Sequence, residues 1–120
     1  MATRELSADN FQQTITGNDL VIVDFWAPWC GPCRSFAPTF EASSETHSDF
    51  VHAKVNTEVQ QEIAAAFNIR TIPTLMVFRD QIIIYAEAGA LSAGALNEVI
   101  GLARGLDMDQ VRAEIAAQGG

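Results

Sequence analysis

The apolar residues of the chain fall into short runs and helical stripes that alternate along its length. Leu20–Trp26 is apolar except at Asp24 and rich in Val and Ile, which predicts a strand buried on both faces, as in a parallel sheet. Because only Arg79, Asp80 and Gln81 separate the last two predicted strands, those two must pair as an antiparallel hairpin. Further strands are predicted over residues 3–6, 50–56, 74–78 and 82–88.

Helical segments fill the spaces between these strands. They are predicted over residues 8–15, 33–47, 57–67, 93–104 and 108–117. Ser7 is placed to cap the first of them, and Asp107 and Gln110 form the pattern of a capping box at the last. We expect a kink at Pro38, inside the second helix, and a left-handed conformation at Asn68, after the third.

The order of these elements is β-α-β-α-β-α-β-β-α, followed by one more helix. It predicts an α/β fold with a mixed central sheet of about five strands, helices on both faces and an extra C-terminal helix. A chain of 120 residues supports one such domain, and its 48% of hydrophobic residues is enough for a real core.

Charge and hydropathy argue against several classes of function. A nucleic-acid binder needs a basic face to neutralise phosphates, so the formal net charge of −8 argues against that role, and it also disfavours binding to anionic membranes. The chain has no run of about 18 apolar residues to cross a membrane, and its first residues lack the apolar core of a signal peptide. We therefore expect a cytoplasmic location, where thiols stay reduced.

The two cysteines of the chain, Cys30 and Cys33, stand two residues apart directly after the strand Leu20–Trp26. In a reducing compartment such a pair is more often catalytic or metal-binding than structural, and closing so short a loop adds little stability. Cys30 precedes a predicted helix N-terminus, which favours the nucleophilic thiolate over the thiol. Gly31 permits close approach of a partner, and Pro32 starts a helix without an unsatisfied N–H.

A zinc site is the rival interpretation of this pair. Cys30, Cys33, His47 and His52 follow the loose spacing of a Cys2His2 site. A zinc finger would carry both histidines on one helix, whereas His52 falls in a predicted strand, and a core of this size needs no metal to fold. We therefore interpret both histidines as surface residues and expect no metal.

Five separated motifs resemble the thioredoxin family. Residues 24–33, Asp-Phe-Trp-Ala-Pro-Trp-Cys-Gly-Pro-Cys, are similar to its active-site strand and loop. Further family landmarks follow in order and spacing at Ala37-Pro38, Ala53-Lys54-Val55-Asn56, Ile72-Pro73-Thr74 and Gly89-Ala90. The resemblance covers roughly residues 3–104. We accordingly divide the chain into a thioredoxin domain, residues 1–105, and a C-terminal helical extension, residues 106–120.

The resemblance implies a role for each matching residue. Cys30 corresponds to the attacking thiolate and Cys33 to the resolving thiol. Asp24 corresponds to a buried carboxylate that relays a proton to or from Cys33, Lys54 to the basic residue near it, and Pro73 to a cis-proline facing the disulfide. The implied substrate-binding rim consists of Trp29, Gly31, Pro32, Ile72, Pro73, Gly89 and Ala90.

The residues themselves leave alternatives open for four of these assignments. A lone Asp in an apolar strand is costly to bury charged, so the pKa of Asp24 should rise; the alternative is a strand-end Asp that points to water. The alternative for Lys54 is an ordinary surface lysine, and for Trp29 a core residue. Cis X–Pro bonds are uncommon, so the cis conformation at Pro73 rests on the resemblance alone.

The chain departs from the family pattern at its hairpin link, at Thr71, in its tail, and in the unusually apolar run Ile82-Ile83-Ile84-Tyr85 of a strand that the family places at a sheet edge. The hairpin link lacks the usual Gly, so Asp80 or Gln81 has to adopt a positive φ. Thr71 stands where many bacterial members have Gly and would narrow the contact surface next to Pro73. The tail helix has an apolar stripe, Met108, Val111 and Ile115, for which we weigh packing on its own domain, a partner or dimer contact, and disorder.

The resemblance implies a protein-disulfide reductase that works by dithiol–disulfide exchange through Cys30 and Cys33. It implies no bound cofactor, disulfide-containing protein substrates, and reducing equivalents that come from NADPH through a thioredoxin reductase. We expect a monomer. Two other classes remain: an oxidant or isomerase of the same fold, which more often has His between the cysteines, and a binding module that uses the tail helix.

Overall fold

In the computed structural model, which describes residues 2–119, one five-stranded sheet is covered by helices on both faces. The strands are β1 (Thr3–Glu5), β2 (Leu20–Trp26), β3 (Val51–Asn56), β4 (Thr74–Arg79) and β5 (Ile82–Ala88). The helices are α1 (Phe11–Thr16), α2 (Gly31–Thr46), α3 (Gln61–Ala66), α4 (Ala93–Arg104) and α5 (Met108–Ala117). The predicted fold class and the predicted order of elements are confirmed.

The strand order is β1-β3-β2-β4-β5, so β2 lies at the centre of the sheet. It pairs in parallel with β3 and antiparallel with β4, while β1 pairs in parallel with β3. The central position explains its apolar sequence, because both faces and both edges are covered by protein. The loop that follows the carboxyl end of β2 therefore places the two cysteines at one end of the central strand, away from the two outer strands of the sheet.

The two faces of β2 belong to two separate cores, as the two-residue period of a strand requires. Val21, Val23 and Phe25 pack with the residues of α1 and α3 on one face. Ile22 packs on the other face with apolar residues of α2 and α4, and Asp24 shares that face by alternation. An acidic side chain thus sits in the layer between the sheet and α2.

Two helices begin later than predicted, for the same physical reason. Before α1, the Ser7 N–H donates to Asn10 Oδ1 and the Asp9 N–H donates to Ser7 Oγ, so residues 8–10 are held in turns and the helix starts at Phe11. Before α3, the Glu58 N–H donates to Asn56 Oδ1 in a similar turn. Short polar side chains that bond to nearby backbone compete with the first helical turn.

Among residues 2–119, three non-glycine residues have positive φ angles. Asn68 has a φ of 56°, as predicted for the residue after α3. Asp80 and Gln81, with φ of 52° and 69°, form the whole link between β4 and β5. A two-residue hairpin turn needs positive φ at both positions to match strand twist, so both residues, rather than one, adopt it without Gly.

Helix α2 runs without interruption through Pro38. Because proline has no N–H, the bond that a residue at this position would donate to the Arg34 carbonyl is missing.

The tail forms α5, with Asp107 Oδ1 accepting bonds from the Asp109 and Gln110 N–H groups. The capping box is only half made, because the Gln110 side chain donates to Glu114 instead of returning to Asp107. Met108 is buried, and Arg112 forms an ion pair with Asp80 in the hairpin. The tail helix thereby lies beside the edge strand β5, where a groove is lined by apolar residues of both.

The end of α4 is held by one side chain from the sheet. Arg79 Nη1 lies 2.9 Å, 3.0 Å and 2.7 Å from the carbonyl oxygens of Ala103, Arg104 and Leu106. The last carbonyls of a helix have no partner within the helix, and a guanidinium satisfies them while also meeting the negative end of the helix dipole. Arg79 therefore fixes the start of the tail against the sheet.

Candidate redox site

Cys30 and Cys33 form a disulfide at the N-terminus of α2, with their Cα atoms 5.2 Å apart. Cys30 is the N-cap residue of this 16-residue helix, and its Sγ accepts a bond from the Cys33 N–H at 3.2 Å. Pro32 lies in the first turn, where its missing N–H costs nothing. A thiolate released at Cys30 would meet the same free N–H group and the positive end of the helix dipole.

The loop before the helix is fixed by Arg34, which the sequence did not single out. Its Nη1 donates to the Pro28 carbonyl at 2.9 Å, and its backbone N–H donates to the Cys30 carbonyl at 3.1 Å. The Cys30 N–H in turn donates to the Ala27 carbonyl. Nothing in the sequence marks an exposed arginine in the first helical turn as different from any other.

The two sulfurs differ in what surrounds them. Both cysteines are buried, at 5% and 3% exposure for Cys30 and Cys33, but Trp29 beside them is 66% exposed. Cys30 Sγ also lies 3.7 Å from the Ile72 carbonyl, across the loop from the helix. An indole this exposed is not part of the core, so the core alternative for Trp29 is wrong.

The Ile72–Pro73 peptide bond is cis, and it belongs to a second loop whose Ile72 carbonyl lies against the disulfide. The Pro73 carbonyl accepts a bond from the Gly89 N–H at 2.8 Å, which places the end of β5 beside this loop. Gly89 has a φ of 108°, a conformation that favours glycine. Of the predicted rim, Trp29, Pro32, Gly89 and Ala90 are exposed, Gly31 and Ile72 are half-buried, and Pro73 is buried.

Asp24 lies on β2, the strand that leads into the disulfide loop, and is 1% exposed, so the alternative of a water-facing Asp is wrong. Neither of its carboxylate oxygens has a hydrogen-bond partner among residues 2–119. Burial raises its pKa to about 7, with Lys54 opposing the rise and Glu5 adding to it. A carboxyl with this pKa can take up and release a proton near neutral pH.

Lys54 pairs with Asp24 across β2 and β3, so the two side chains leave the same face of the sheet. It is half-buried, and its Nζ lies 4.7 Å from the centroid of the Trp26 ring. This contact is a cation–π interaction, which holds the ammonium over the indole. Lys54 is thus not a freely solvated surface lysine.

Glu5 is a neighbour of the site that the sequence did not reveal. The Trp26 Nε1–H donates to Glu5 Oε1 at 3.0 Å, and Glu5 pairs with Lys54 across β1 and β3. Partial burial raises the pKa of Glu5, while the Trp26 bond and Lys54 oppose the rise. Only the register of three strands, which the sequence does not specify, brings these residues together.

The histidines do not lie with the cysteines. His52 is fully buried in β3, with Nε2 at 3.0 Å from Ser43 Oγ and Nδ1 at 3.1 Å from the Phe50 carbonyl, so its interpretation as a surface residue is wrong. Burial lowers its pKa. His47 is half-buried and bonds to Asn97 and Arg104. Among residues 2–119, no cluster of three or more His, Cys, Asp or Glu side chains could hold a metal ion.

The arrangement therefore combines a disulfide pair with a helix N-terminus that would stabilise a thiolate, and β2 carries a buried carboxyl at Asp24. A disulfide and a stabilised thiolate are suited to thiol–disulfide exchange. Within the described part of the chain, no helix is long and apolar enough to span a bilayer.

Comparison with known proteins gives one consistent family. A family model described as Thioredoxin matches residues 2–101. A Streptomyces coelicolor relative designated thioredoxin 2 is 52% identical over 117 residues, covering 98% of this chain and 87% of the relative. A thioredoxin of Porphyra purpurea is 38% identical over 102 residues, covering 83% of this chain and 95% of its own.

Solved structures agree with the sequence matches. Plasmodium falciparum thioredoxin has a TM-score of 0.77 at 35% identity, over 82% of this chain and 96% of that one. A mutant thioredoxin from Halobacterium salinarum has a TM-score of 0.81 at 29% identity, over 88% of this chain and 93% of its own.

Proposed function

The chain belongs to the thioredoxin family of thiol–disulfide oxidoreductases, and from that premise we propose that it is a general protein-disulfide reductase with the residue roles given below. The observation that carries the proposal is the Cys30–Cys33 disulfide at the N-terminus of α2, together with the buried, unpaired carboxyl of Asp24 on β2, the strand that leads into the disulfide loop. In this proposal Cys30 attacks, Cys33 resolves and Asp24 moves a proton.

In the first step, the Cys30 thiolate attacks one sulfur of a substrate disulfide. The substrate S–S bond breaks, a mixed disulfide between Cys30 and the substrate forms, and the other substrate sulfur leaves as a thiolate. The Cys33 N–H, at 3.2 Å from Cys30 Sγ in the disulfide, supports the role of Cys30 as the nucleophile because it would stabilise the thiolate before attack.

In the second step, Cys33 attacks the Cys30 sulfur of the mixed disulfide. The Cys33 thiol must first lose its proton, and Asp24 is the group that accepts it. The mixed disulfide breaks, the second substrate sulfur leaves as a thiolate, and the Cys30–Cys33 disulfide closes. Two electrons have then passed from the protein to the substrate.

The pKa of about 7 at Asp24 suits this task. A base acts best when its pKa lies near the working pH, because it is then both largely available and basic enough to accept the proton. Lys54 acts on this step through its charge, which opposes the effect of burial on Asp24.

Substrate chain lies against the rim formed by Trp29, Gly31, Pro32, Ile72, Pro73, Gly89 and Ala90. The exposure of Trp29 and the proximity of the Ile72 carbonyl to Cys30 Sγ support this surface. Thr71, exposed next to it, narrows the surface relative to a glycine.

The redox group is the protein's own disulfide, and the family in general carries no prosthetic cofactor. Resetting the disulfide needs two electrons and two protons. A thioredoxin reductase drawing on NADPH supplies them, in a cytoplasmic compartment that keeps thiols reduced.

The chain acts as a monomer with a thioredoxin domain over residues 1–105 and a helical extension over residues 106–120. The family match, which ends at residue 101, supports this division. The extension is not unique to this chain, since the match to the Streptomyces coelicolor relative covers 98% of the whole chain and so includes most of the extension.

The test is insulin reduction, followed by turbidity, with dithiothreitol or with a bacterial thioredoxin reductase and NADPH. The parent protein and an exposed control, Ser35→Ala, are expected to accelerate the reaction alike, and Cys30→Ser is expected to lose the acceleration. A parent protein that does not exceed the dithiothreitol background would refute the reductase function. A biological activity that survives Cys30→Ser would assign the chain to the binding-module class instead.

A further inference from the structure

Three charged side chains stand in a row across three neighbouring strands. Glu5 on β1 pairs with Lys54 on β3, and Lys54 pairs with Asp24 on β2. Residues paired in register project from the same face, so the lysine lies between two carboxylates. The opposite neighbour of Asp24, Leu75 on β4, contributes no charge.

The Trp26 side chain packs over this row of charged residues. It lies two residues beyond Asp24 on β2 and so on the same face. Its ring contacts the Lys54 Nζ at 4.7 Å from the centroid, and its Nε1–H donates to Glu5 Oε1 at 3.0 Å. The indole therefore crosses from β2 to β1 with the lysine against its face, and the Glu5 carboxylate is the point that fixes its far end.

Exposure falls steadily along the row. Glu5 is exposed, Lys54 is half-buried and Asp24 is 1% exposed. An unrestrained lysine at the middle position would direct its ammonium towards solvent, because the four-carbon stem is flexible and the ammonium is strongly hydrated. The ring and the two carboxylates oppose that escape.

We propose that Glu5 is a positioning residue of the redox site: by anchoring the Trp26 indole across Lys54, its carboxylate keeps the Lys54 ammonium between Glu5 and Asp24. The proposal rests on the proposed function, in which Asp24 accepts the Cys33 proton. Glu5 acts on that proton transfer in two ways, through the place of the ammonium and through its own negative charge.

The two actions have opposite signs, which separates them experimentally. A confined Lys54 favours the charged form of Asp24, whereas the Glu5 charge disfavours it. The charged groups that act on Asp24 are Lys54 and Glu5. Cys30 and Cys33, at the start of α2, do not titrate while joined as a disulfide.

Glu5→Gln keeps an oxygen that can accept from Trp26 Nε1–H and removes only the charge. The titration midpoint of Asp24 is then expected below that of the parent. Glu5→Ala removes both the charge and the anchor, so Lys54 is released and the midpoint is expected above that of Glu5→Gln. At neutral pH we expect Glu5→Ala to reduce insulin more slowly than Glu5→Gln, by roughly twofold to tenfold, the worth of one hydrogen bond.

The midpoint is measured by carbon-13 NMR of the Asp24 carboxyl in the oxidised protein, which needs no substrate. The midpoint therefore tests the role of Glu5 independently of activity. If the parent failed to reduce insulin, that result would refute the reductase function but not the role of Glu5. Glu98→Gln and Glu98→Ala, on the exposed face of α4, are matched controls and should both leave the midpoint unchanged. Should Glu5→Ala not fold, Trp26→Phe removes the same hydrogen bond from the ring side but keeps the Glu5 charge, so its Asp24 midpoint is expected above that of the parent and an unshifted midpoint would overturn the proposal.

A second readout reports the anchor directly. In a Trp29→Phe background, Trp26 is the remaining tryptophan of the two in the chain. Its emission maximum should match the parent background in Glu5→Gln and shift in Glu5→Ala. Equal Asp24 midpoints in Glu5→Gln and Glu5→Ala, or an unshifted midpoint in Glu5→Gln, would overturn the proposal.

Discussion

Replacing Asp24 by an asparagine should make the oxidised protein more stable at high pH than the parent. Burial raises the pKa of Asp24 from its ordinary value of 3.8 to about 7. Each unit of difference between the unfolded and folded pKa corresponds to about 1.4 kcal/mol of folding free energy. The difference between these two pKa values therefore costs the parent about 4 kcal/mol of stability once Asp24 is ionised. Asp24 is 1% exposed, so solvent screening does not reduce this energy much.

The direction of the pH dependence of stability follows from whether the folded or the unfolded state binds the Asp24 proton. Between pH 4 and pH 7 the folded protein keeps the Asp24 proton and the unfolded chain loses it. The folded state then binds more protons, so the parent loses stability as pH rises through this window. The carboxamide of the Asp24→Asn variant would not titrate, and its unpaired burial adds a cost that does not vary with pH.

The assay is urea unfolding of parent and Asp24→Asn, followed by far-UV circular dichroism between pH 5 and pH 8. The stability of the variant relative to the parent should increase by about 3 kcal/mol over that range. Asp19→Asn, at an exposed position, is the matched control and should show no such trend. A difference between Asp24→Asn and parent that is the same at pH 5 and pH 8 would mean that Asp24 is not buried as a protonated acid.

Three further outcomes are expected. Asp24→Ala should slow insulin reduction on the order of 100-fold by impairing the Cys33 step, while Cys30 remains open to alkylation by iodoacetamide; unchanged turnover would remove Asp24 from the mechanism. His52→Gln should destabilise the protein most above pH 7 and progressively less below pH 6.5. Burial lowers the pKa of His52, so the unfolded parent takes up a proton first as the pH falls, and the parent itself loses stability. Urea unfolding at each pH measures this cost, and a cost that does not shrink in acid contradicts the prediction. Arg79→Met should lower the free energy of unfolding by about 2 kcal/mol, since it leaves the end of α4 without its donor, whereas the exposed Arg70→Met should not.

The strands and the redox loop were predictable from the sequence because each has a local cause. The apolar run at β2 needs burial on both faces, and the short link at Asp80 and Gln81 allows only a hairpin. The cis bond at Pro73 has no local cause that the sequence shows, so it was predictable only from the resemblance to the family.

The errors arose where side chains find partners that are distant in sequence or that compete with the helix. His52 looked polar and therefore exposed, but Ser43 on α2 and the Phe50 carbonyl satisfy both ring nitrogens in the core. The contact of Glu5 with Trp26 depends on the register of β1, β3 and β2, which no short motif encodes.

The most direct measurement for the central claim is which cysteine holds the substrate between the two steps. Reduced Cys33→Ser and Cys30→Ser are each mixed with a disulfide-containing protein, quenched with acid and analysed by mass spectrometry. Cys33→Ser should accumulate a mixed disulfide through Cys30, because the resolving thiol is missing, and Cys30→Ser should accumulate little. A mixed disulfide that forms through Cys33 instead, or in neither variant, would contradict the assignment of Cys30 as the nucleophile.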